Sequence, residues 1–526
     1  MIDLGVLLVM SLNSISDWSF TVKKIKNIEE RAVSAHALSI TKLMERASAA
    51  VMTGIEKKFG MPSELTIFCG IGNNAGDGYL VAALAAEKSV RARVIEVGDL
   101  RRQNSEVSDA RSIAVKAGVE FLSPKTDREI TDGIIIDALI GTGLRSQMGS
   151  NYVEAIKLIN ASKVPVVSID VPSGLNADTG GVSDHAVEAD LTVTFVGLKR
   201  GMMTGQASSF CGELVLDSLE IPIAAYNIES SDSEILRLGS LLGHLPTRAG
   251  FAHKYHFGHA MVVGGELGFG GAAILAAQSC IQTGAGLVSL CTRLEHIGSM
   301  LARQPEVMTR AIDSGQELEP WLDAATVLII GPGLGKSAWS EQLLQKTVKA
   351  GHPMVVDADA LNLIAEDRLQ INFSELSWVI TPHSGEAARL LGTSVRVVEE
   401  DRFSAVRALQ NKYAATVILK GPGTLVVGDA VTGPRICPYG SPAMATAGMG
   451  DILTGIVGSL IAQGLPLQVA AELGCCIHSK AADLAVHRYG KFGLTATSIL
   501  SFIKSILNSD PTAVDESIGI ARGIRS

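Results

Sequence analysis

The sequence predicts an α/β protein built from two domains. Three observations lead there. The chain has 526 residues, too many for one ordinary core at roughly 100–200 residues per domain. Short apolar runs alternate with helical patterns, and most of these runs end in a Gly-rich turn. Composition agrees: hydrophobic residues make up 47%, aromatics only 5%, and glycine reaches 54 residues without any collagen period. Parallel sheets with ligand-facing turns at their strand ends have that signature.

Elements of the first half follow in order. The first twenty residues read as a loose extension or as the result of a start codon placed too early. Their apolar stretch at 4–10 follows Asp3, not a basic segment, and a signal peptide is not expected. From Thr41, the residues Leu43, Ala47, Val51, Ile55 and Phe59 recur every four positions, and Gly60 follows as a helix stop. An apolar strand at 65–69 enters GIGNNAGDG at 70–78, and a helix then runs through 82–86. Further strands are expected at 94–97, at 134–136 leading into DALIGTGL, at 164–169 leading into DVPSGLNADTG, and at 191–195 leading into VGLKRG.

The stretch 224–250 breaks the rhythm, is polar in part and carries no strong strand signal. The domain boundary is placed there, with one domain over 1–228 and the other over 229–526. A second α/β rhythm starts at Gly258 with HAMVVGG. It continues through VLIIGPGLG, MVVDADALNLI, WVITPHSGE and VILKGPGTLVV, and ends in ATAGMGDILTGIVGSLIAQG at 445–464. The halves use different turn motifs, so no internal repeat is expected.

Charge and cysteine usage narrow the functional classes. The net charge of −9 argues against polymeric nucleic acid as a partner. It leaves room for small phosphate ligands, which Gly turns and helix N-termini bind through backbone N–H groups. Seven scattered cysteines read as buried, reduced thiols of a cytoplasmic protein. No apolar run reaches the ~18 residues of a membrane span.

In the first half, Asn73, Asn74 and Asp77 stand in a turn after a strand, and Asp137 and Asp170 each follow a strand directly. Carboxylates at strand C-termini face the ligand crevice of such sheets. Each could instead cap the next helix. In the second half, Gly448 and Gly450 free the backbone N–H groups of AGMGD to face an anion at a helix start. Asp451 at that position can accept a proton from a hydroxyl about to attack a phosphoryl group, or can act as an ordinary cap. KGPGT at 420–424 offers a lysine, two glycines and a hydroxyl to phosphates, although it is not a P-loop. His383 and Glu386 follow a strand in PHSGE, where His383 is a candidate ligand contact or a structural histidine. Asp357 and Asp359 could serve Mg2+ through water or a polar turn, and their roles and that of Glu386 stay open.

These motifs carry a double resemblance. GIGNNAGDG, DALIGTGL, DVPSGLNADTG and TFVGLKRGMMTG, with LMERA at 43–47, resemble the NAD(P)H-hydrate epimerase or YjeF N-terminal family over about 20–225. GHAMVVGG, QPEVM, GPGLG, VVDADALNLI, TPHSGEAARLLG, KGPGTLVV and MATAGMGDILTGIVGSLIAQGL resemble the ADP-dependent NAD(P)H-hydrate dehydratases over about 245–505. The resemblance implies two three-layer αβα domains, the first Rossmann-like and the second ribokinase-like. It implies epimerisation at C6 of the hydrated nicotinamide ring, with Asp170 as acid/base and Lys199 either assisting by holding charge or a phosphate or serving as a simple surface group. Substrate contacts would fall on Asn73, Asn74, Ala75, Gly76 and Asp77, and on Gly141, Thr142, Gly143 and Leu144. A K+ site would use Asn74, Asp137 and Ser173.

For the second domain the resemblance implies phosphorylation of the substrate hydroxyl by ADP, release of AMP, and loss of phosphate. Substrate contacts would fall on Ala272 or Ala273, Gly333, His383 and Asp451. Nucleotide contacts would fall on Lys420, Gly421, Pro422, Gly423, Thr424 and Gly450, with Mg2+ as a further cofactor. The expected ligands are NADHX, NADPHX and ADP, and relatives of both domains suggest a homo-oligomer. Two departures stand out: Ala75 where many relatives carry Gly, and 494–497 where relatives often read LTASD. Two rivals share these folds. Vitamin or sugar kinases lack the fused first half, and decapping scaffolds would not need Asn74, Asp137, Asp170 and Lys199 together.

Overall fold

The computed structural model describes residues 12–36, 38–122, 130–143, 148–182, 184–226, 231–369, 371–429, 431–511 and 520–522. The chain divides into two compact units, Met1–Glu234 with Gly519–Ser526, and Ile235–Ile518.

In the first unit eight strands form one sheet, in the order Ile520–Arg522, Glu213–Asp217, Leu191–Phe195, Val166–Ile169, Ile134–Ala138, Glu64–Cys69, Arg91–Glu96, Glu120–Leu122. Every neighbouring pair is parallel. The apolar runs are buried on both faces, as parallel strands between helices must be. Period-2 alternation sorts them. Phe68, Ile95 and Ile135 share a core with Ile156 and Ile159 of the helix Ser150–Ala161. The alternate residues Ile67, Cys69 and Ala138 meet the helix Asn73–Glu87 at Gly78, where an added Cβ would lie 2.6 Å from Ala138 Cβ.

The chain winds outward from Glu64–Cys69 in one direction and then returns to continue from Ile134–Ala138 in the other. The turns leaving these two strands, 70–72 and 139–143, therefore border the crevice where ligands bind in such sheets. Residues 12–20 are not the loose extension the sequence suggests. Ile15 and Phe20 are buried, and Trp18–Phe20 pairs with Leu198–Lys199. Likewise Ser233–Ile235 forms a short strand in the stretch read as lacking one. The strand Ile520–Arg522, which a boundary at 228/229 assigns to the second domain, pairs with Glu213–Asp217 in the sheet of the first unit.

In the second unit seven parallel strands run in the order Met308–Ala311, Leu287–Thr292, His259–Val263, Val327–Ile330, Met354–Val356, Trp378–Ile380, Thr416–Leu419. Leu425–Val427 and Arg435–Ile436 extend that edge antiparallel. The helix Met449–Ala462 crosses one face, which its small residues permit: an added Cβ at Gly458 would sit 2.2 Å from Ile329 Cδ1. Gly455 makes the same close approach to the helix Gly270–Thr283. Leu467–Tyr489 and Ala496–Leu507 complete that layer. All seven cysteines are free and buried, as expected.

Candidate active sites

The first site forms where the strand ends of the first unit meet the helix Asn73–Glu87. Asp137 ends its strand fully buried. Its Oδ1 accepts from Ser173 Oγ at 2.6 Å and Leu139 N at 3.2 Å, its Oδ2 from Ser168 Oγ and Ser173 N, both at 2.8 Å. Burial raises this carboxyl above its ordinary range, while the bonds from Ser173, Ser168 and Leu139 hold part of that rise back. Asn74 is buried, and neither atom of its amide has a partner among the described residues. The GTG turn stands over it, since a Cβ at Gly141 would lie 3.4 Å from Asn74 Cγ. A buried, unsatisfied amide costs about 1–3 kcal/mol unless something fills the space beside it.

Ala75 and Gly76 are buried, with Gly76 against Met44. They can offer a ligand only backbone. The helix start has no side-chain cap, and the Ala75 amide donates to the Gly72 carbonyl at 2.8 Å. Asn73 is exposed and accepts from Asn104 Nδ2 at 2.8 Å. Thr142 and Gly143 lie in the same open turn, and Leu144 lies outside the described residues.

Asp170 follows its strand at φ +66°, a left-handed conformation that costs a non-glycine residue energy and is typical of functional turns. Its Oδ1 accepts from Lys199 Nζ, from Thr194 Oγ1 at 3.2 Å and from Phe195 N at 3.3 Å. Lys199 is almost fully buried and also donates to Thr194 Oγ1 and the Phe195 carbonyl, both at 2.9 Å. Lys199 is therefore not a surface group. Asp77 has its carboxyl pushed well above the ordinary range by burial and by the carboxylates of Asp170 and Glu29.

The second site lies at the strand ends of the second unit. Asp357 follows its strand, nearly fully buried, and accepts from Lys420 Nζ at 2.7 Å and from Thr454 Oγ1 at 2.8 Å. Burial alone would raise it, but the Lys420 ammonium and the hydrogen bonds from Lys420, Thr381 and Thr454 outweigh burial and hold it low. Lys420 is raised in turn: burial works against its charge, and Asp357 and Glu386 more than compensate. Asp451 stands in the first turn of Met449–Ala462 with its carboxyl lifted to about 7. Burial and then Asp357 raise it, Lys420 opposes, and Asp359 and Glu386 add to the rise. Gly450 leaves the space between these groups open, since a Cβ there would lie 3.3 Å from Lys420 Nζ and 3.5 Å from Asp357 Oδ2.

The surrounding turns converge on the same point. Gly333 is at φ +57°, and its missing Cβ would lie 3.2 Å from Ala272 Cβ. Ala272 thus faces the GPGLG turn, whereas Ala273 is buried in the core. Asp359 Oδ2 anchors that turn by accepting from Gly335 N at 2.9 Å. Thr424 Oγ1 donates to the Gly421 carbonyl at 2.8 Å and closes the KGPGT loop around Pro422 and Gly423. His383 caps the helix Ser384–Leu391: its Nδ1 accepts from Gly385 N at 3.0 Å, and Glu386 Oε2 accepts from His383 N at 2.8 Å. Its ring stays half exposed.

Three groups escaped the sequence reading. Arg402 is fully buried beneath KGPGT, and its Nη2 donates to the carbonyls of Leu419 and Lys420 at 3.1 and 3.0 Å. His478 on Leu467–Tyr489 is buried with Nε2 unpartnered, and burial first and Lys420 second push it down to about 4. Glu29 on the helix Val22–His36 is lifted to about 7, chiefly by burial, with Lys199 opposing and Asp170 adding. None stands in a glycine turn or directly after an apolar strand, the local signals that mark the other site residues.

Residues 40–201 match the family model described as YjeF-related protein N-terminus, and residues 260–505 match that of NAD(P)H-hydrate dehydratase. A bifunctional NAD(P)H-hydrate repair enzyme from Coxiella burnetii is 40% identical over 92% of this chain and 98% of its own length. One from Vibrio cholerae is 39% identical over 93% and 98%. Among solved structures, a ribokinase-like superfamily protein from Enterococcus faecalis aligns at 26% identity and TM-score 0.49, over 55% of this chain and 99% of that one. Two family models in tandem and near-complete coverage at this identity lead to one conclusion: the chain belongs to the bifunctional NAD(P)H-hydrate repair enzymes, with an epimerase domain followed by a dehydratase domain.

Proposed function

We propose that the first unit interconverts the R and S epimers of NADHX and NADPHX, and that the second dehydrates the S epimer with ADP, giving NAD(P)H, AMP and phosphate. The observation that carries the second half is the cluster of Asp451, Lys420 and Asp357 at one helix start. A carboxyl near 7 is matched to taking a hydroxyl proton at neutral pH. Asp451 takes the proton from the C6 hydroxyl, and that oxygen attacks the β-phosphorus of ADP as AMP departs. Lys420 and the amides around Gly450 stabilise the charge moving through the phosphates. The C6–O bond then breaks with phosphate as leaving group, and a proton lost from C5 restores the double bond. Ala272, Gly333 and His383 line the approach of the nicotinamide half, and residues 420–424 cradle the nucleotide.

In the first domain, the start of the helix Asn73–Glu87 and the GTG turn hold the dinucleotide phosphates. Asp170, oriented by Lys199, exchanges a proton with the C6 oxygen. Oxygen donors of Asn74, Asp137 and Ser173 suit K+, whose charge would fill the place beside the orphaned Asn74 amide and order the turns around the substrate. Among the described residues no group of three or more His, Cys, Asp or Glu could hold a metal ion. Mg2+ is accordingly proposed to arrive on the phosphates of the nucleotide. No described helix is long and apolar enough to cross a membrane, and a cytoplasmic homo-oligomer is the proposed form.

The test is product analysis with ADP and each purified epimer. Free phosphate with regained absorbance of reduced nicotinamide supports the repair reading. A stable phosphorylated product would sink it in favour of a kinase.

A further inference from the structure

Epimerisation by loss and return of the C6 hydroxyl needs a proton delivered to the departing oxygen and one taken from the returning water. Asp170 is engaged on Oδ1 by Lys199, Thr194 and Phe195. A second carboxyl beside it would let one residue give the proton and the other take it.

Glu29 is placed for it. Its helix, Val22–His36, is anchored by its first amide, Val22 N donating to Asp178 Oδ1 at 2.7 Å. The helix packs on the turn before Lys199: a Cβ at Gly197 would lie 3.1 Å from Ile25 Cδ1. Glu29 stands one helical turn beyond Ile25 on the same face. The strand leading into the helix sets Phe20 opposite Lys199. The charged and titratable groups around Glu29 come from its own helix and from neighbouring strand ends and helices. Lys199 and Asp170 act on it from two strand ends, Lys26 and Glu30 from its own helix, and it acts in turn on Asp77 and on Tyr226. The unpartnered amide of Asn74, on the helix that carries Asp77, marks the same crevice as a ligand site.

Resting on the reading of the first domain as an epimerase, we infer that Glu29 is the proton donor to the departing C6 oxygen and Asp170 the acceptor when water returns. Glu29 gives its proton to the hydroxyl. The C6–O bond breaks with its electron pair leaving on water, and the ring nitrogen lone pair forms a C=N bond to C6. Water then forms the new C6–O bond on the opposite face while the C=N pair returns to nitrogen, and the extra proton passes to the Asp170 carboxylate. Solvent exchange resets both carboxyls, and nothing is oxidised or reduced.

The experiment follows interconversion of separated epimers by the full-length chain from pH 5 to 9, with dehydratase activity of the same samples as the folding control. Because Glu29 must be protonated to donate, wild-type epimerisation is expected to fall as pH rises through about 7. Glu29→Gln should lose about 100-fold or more in kcat/KM with little change in KM, and lose that alkaline limb. Glu29→Asp should keep the limb and recover at least tenfold over Gln. Dehydration of the S epimer should stay within twofold in both. A Gln variant with the wild-type limb and rate overturns the inference, as does an Asp variant as slow as Gln. A wild type that does not interconvert the epimers would instead overturn the epimerase reading itself.

Discussion

Both sites are built around one lysine, one strand-end aspartate paired to it, and one further carboxyl lifted to about 7. In the first unit these are Lys199, Asp170 and Glu29. In the second they are Lys420, Asp357 and Asp451. The difference lies in which member is buried. The Lys199 side chain is 1% exposed and Asp170 17%, whereas Lys420 is 19% exposed and Asp357 2%. The first unit hides its cation and presents an anion to the crevice. The second hides its anion and presents a cation, as a site that receives a diphosphate should. On the proposed roles, the same three residue types would serve a ring carbon that turns cationic in one place and a phosphoryl group in the other, according to which partner faces the ligand.

The largest effect is expected from Asp451→Asn: loss of about 10²–10⁴-fold in dehydratase kcat, with epimerisation unchanged, measured on both activities of one preparation. Next comes stability. Lys420→Met strands a buried carboxylate and should cost about 3–5 kcal/mol in denaturant unfolding. Lys199→Met leaves Asp170, which water can reach, and should cost less. For the aspartates the order should reverse, with Asp170→Asn worse than Asp357→Asn. Equal losses in both units would remove the proposed asymmetry.

A subtler test uses pH. Asp451 must be ionised to accept a proton, so dehydratase activity should rise with pH through about 7 and level off above it. Asp357→Asn removes the charge that most raises Asp451 and frees Lys420 to lower it further, so this limb should move to lower pH. A limb that stays in place while the rate falls would make Asp357 a purely structural residue. The smallest effect is expected from Gly450→Ala, whose methyl would enter the space beside Lys420. Weakening of ADP binding on the order of tenfold, ~1.4 kcal/mol, should be visible by calorimetry.

What could be read in the sequence follows the same physics. Glycine turns after apolar strands are local signals, so Asp137, Asp170, Lys420 and Asp451 stand out by position alone. Asp357 is visible too, but its role depends on a lysine 63 residues later, a pairing that only the fold creates. Glu29 and Arg402 lie on helices whose pattern marks only a buried face. Glu29 follows the buried Ile28 and precedes Glu30, and reads like any solvated charge at a helix flank. The strand Ile520–Arg522 escaped for a related reason: three residues gain a strand's identity only from the edge they pair with.

The central claim is that two independent sites share one repair task. The most direct measurement gives an equal mixture of the two hydrate epimers and ADP to the wild type, to Asp170→Asn and to Asp451→Asn, and follows recovery of reduced nicotinamide beside release of free phosphate. The wild type should recover the whole mixture. Asp170→Asn should recover the S half quickly and then slow, and Asp451→Asn should recover almost none while still interconverting the epimers. Full recovery at the wild-type rate by either variant would contradict the account.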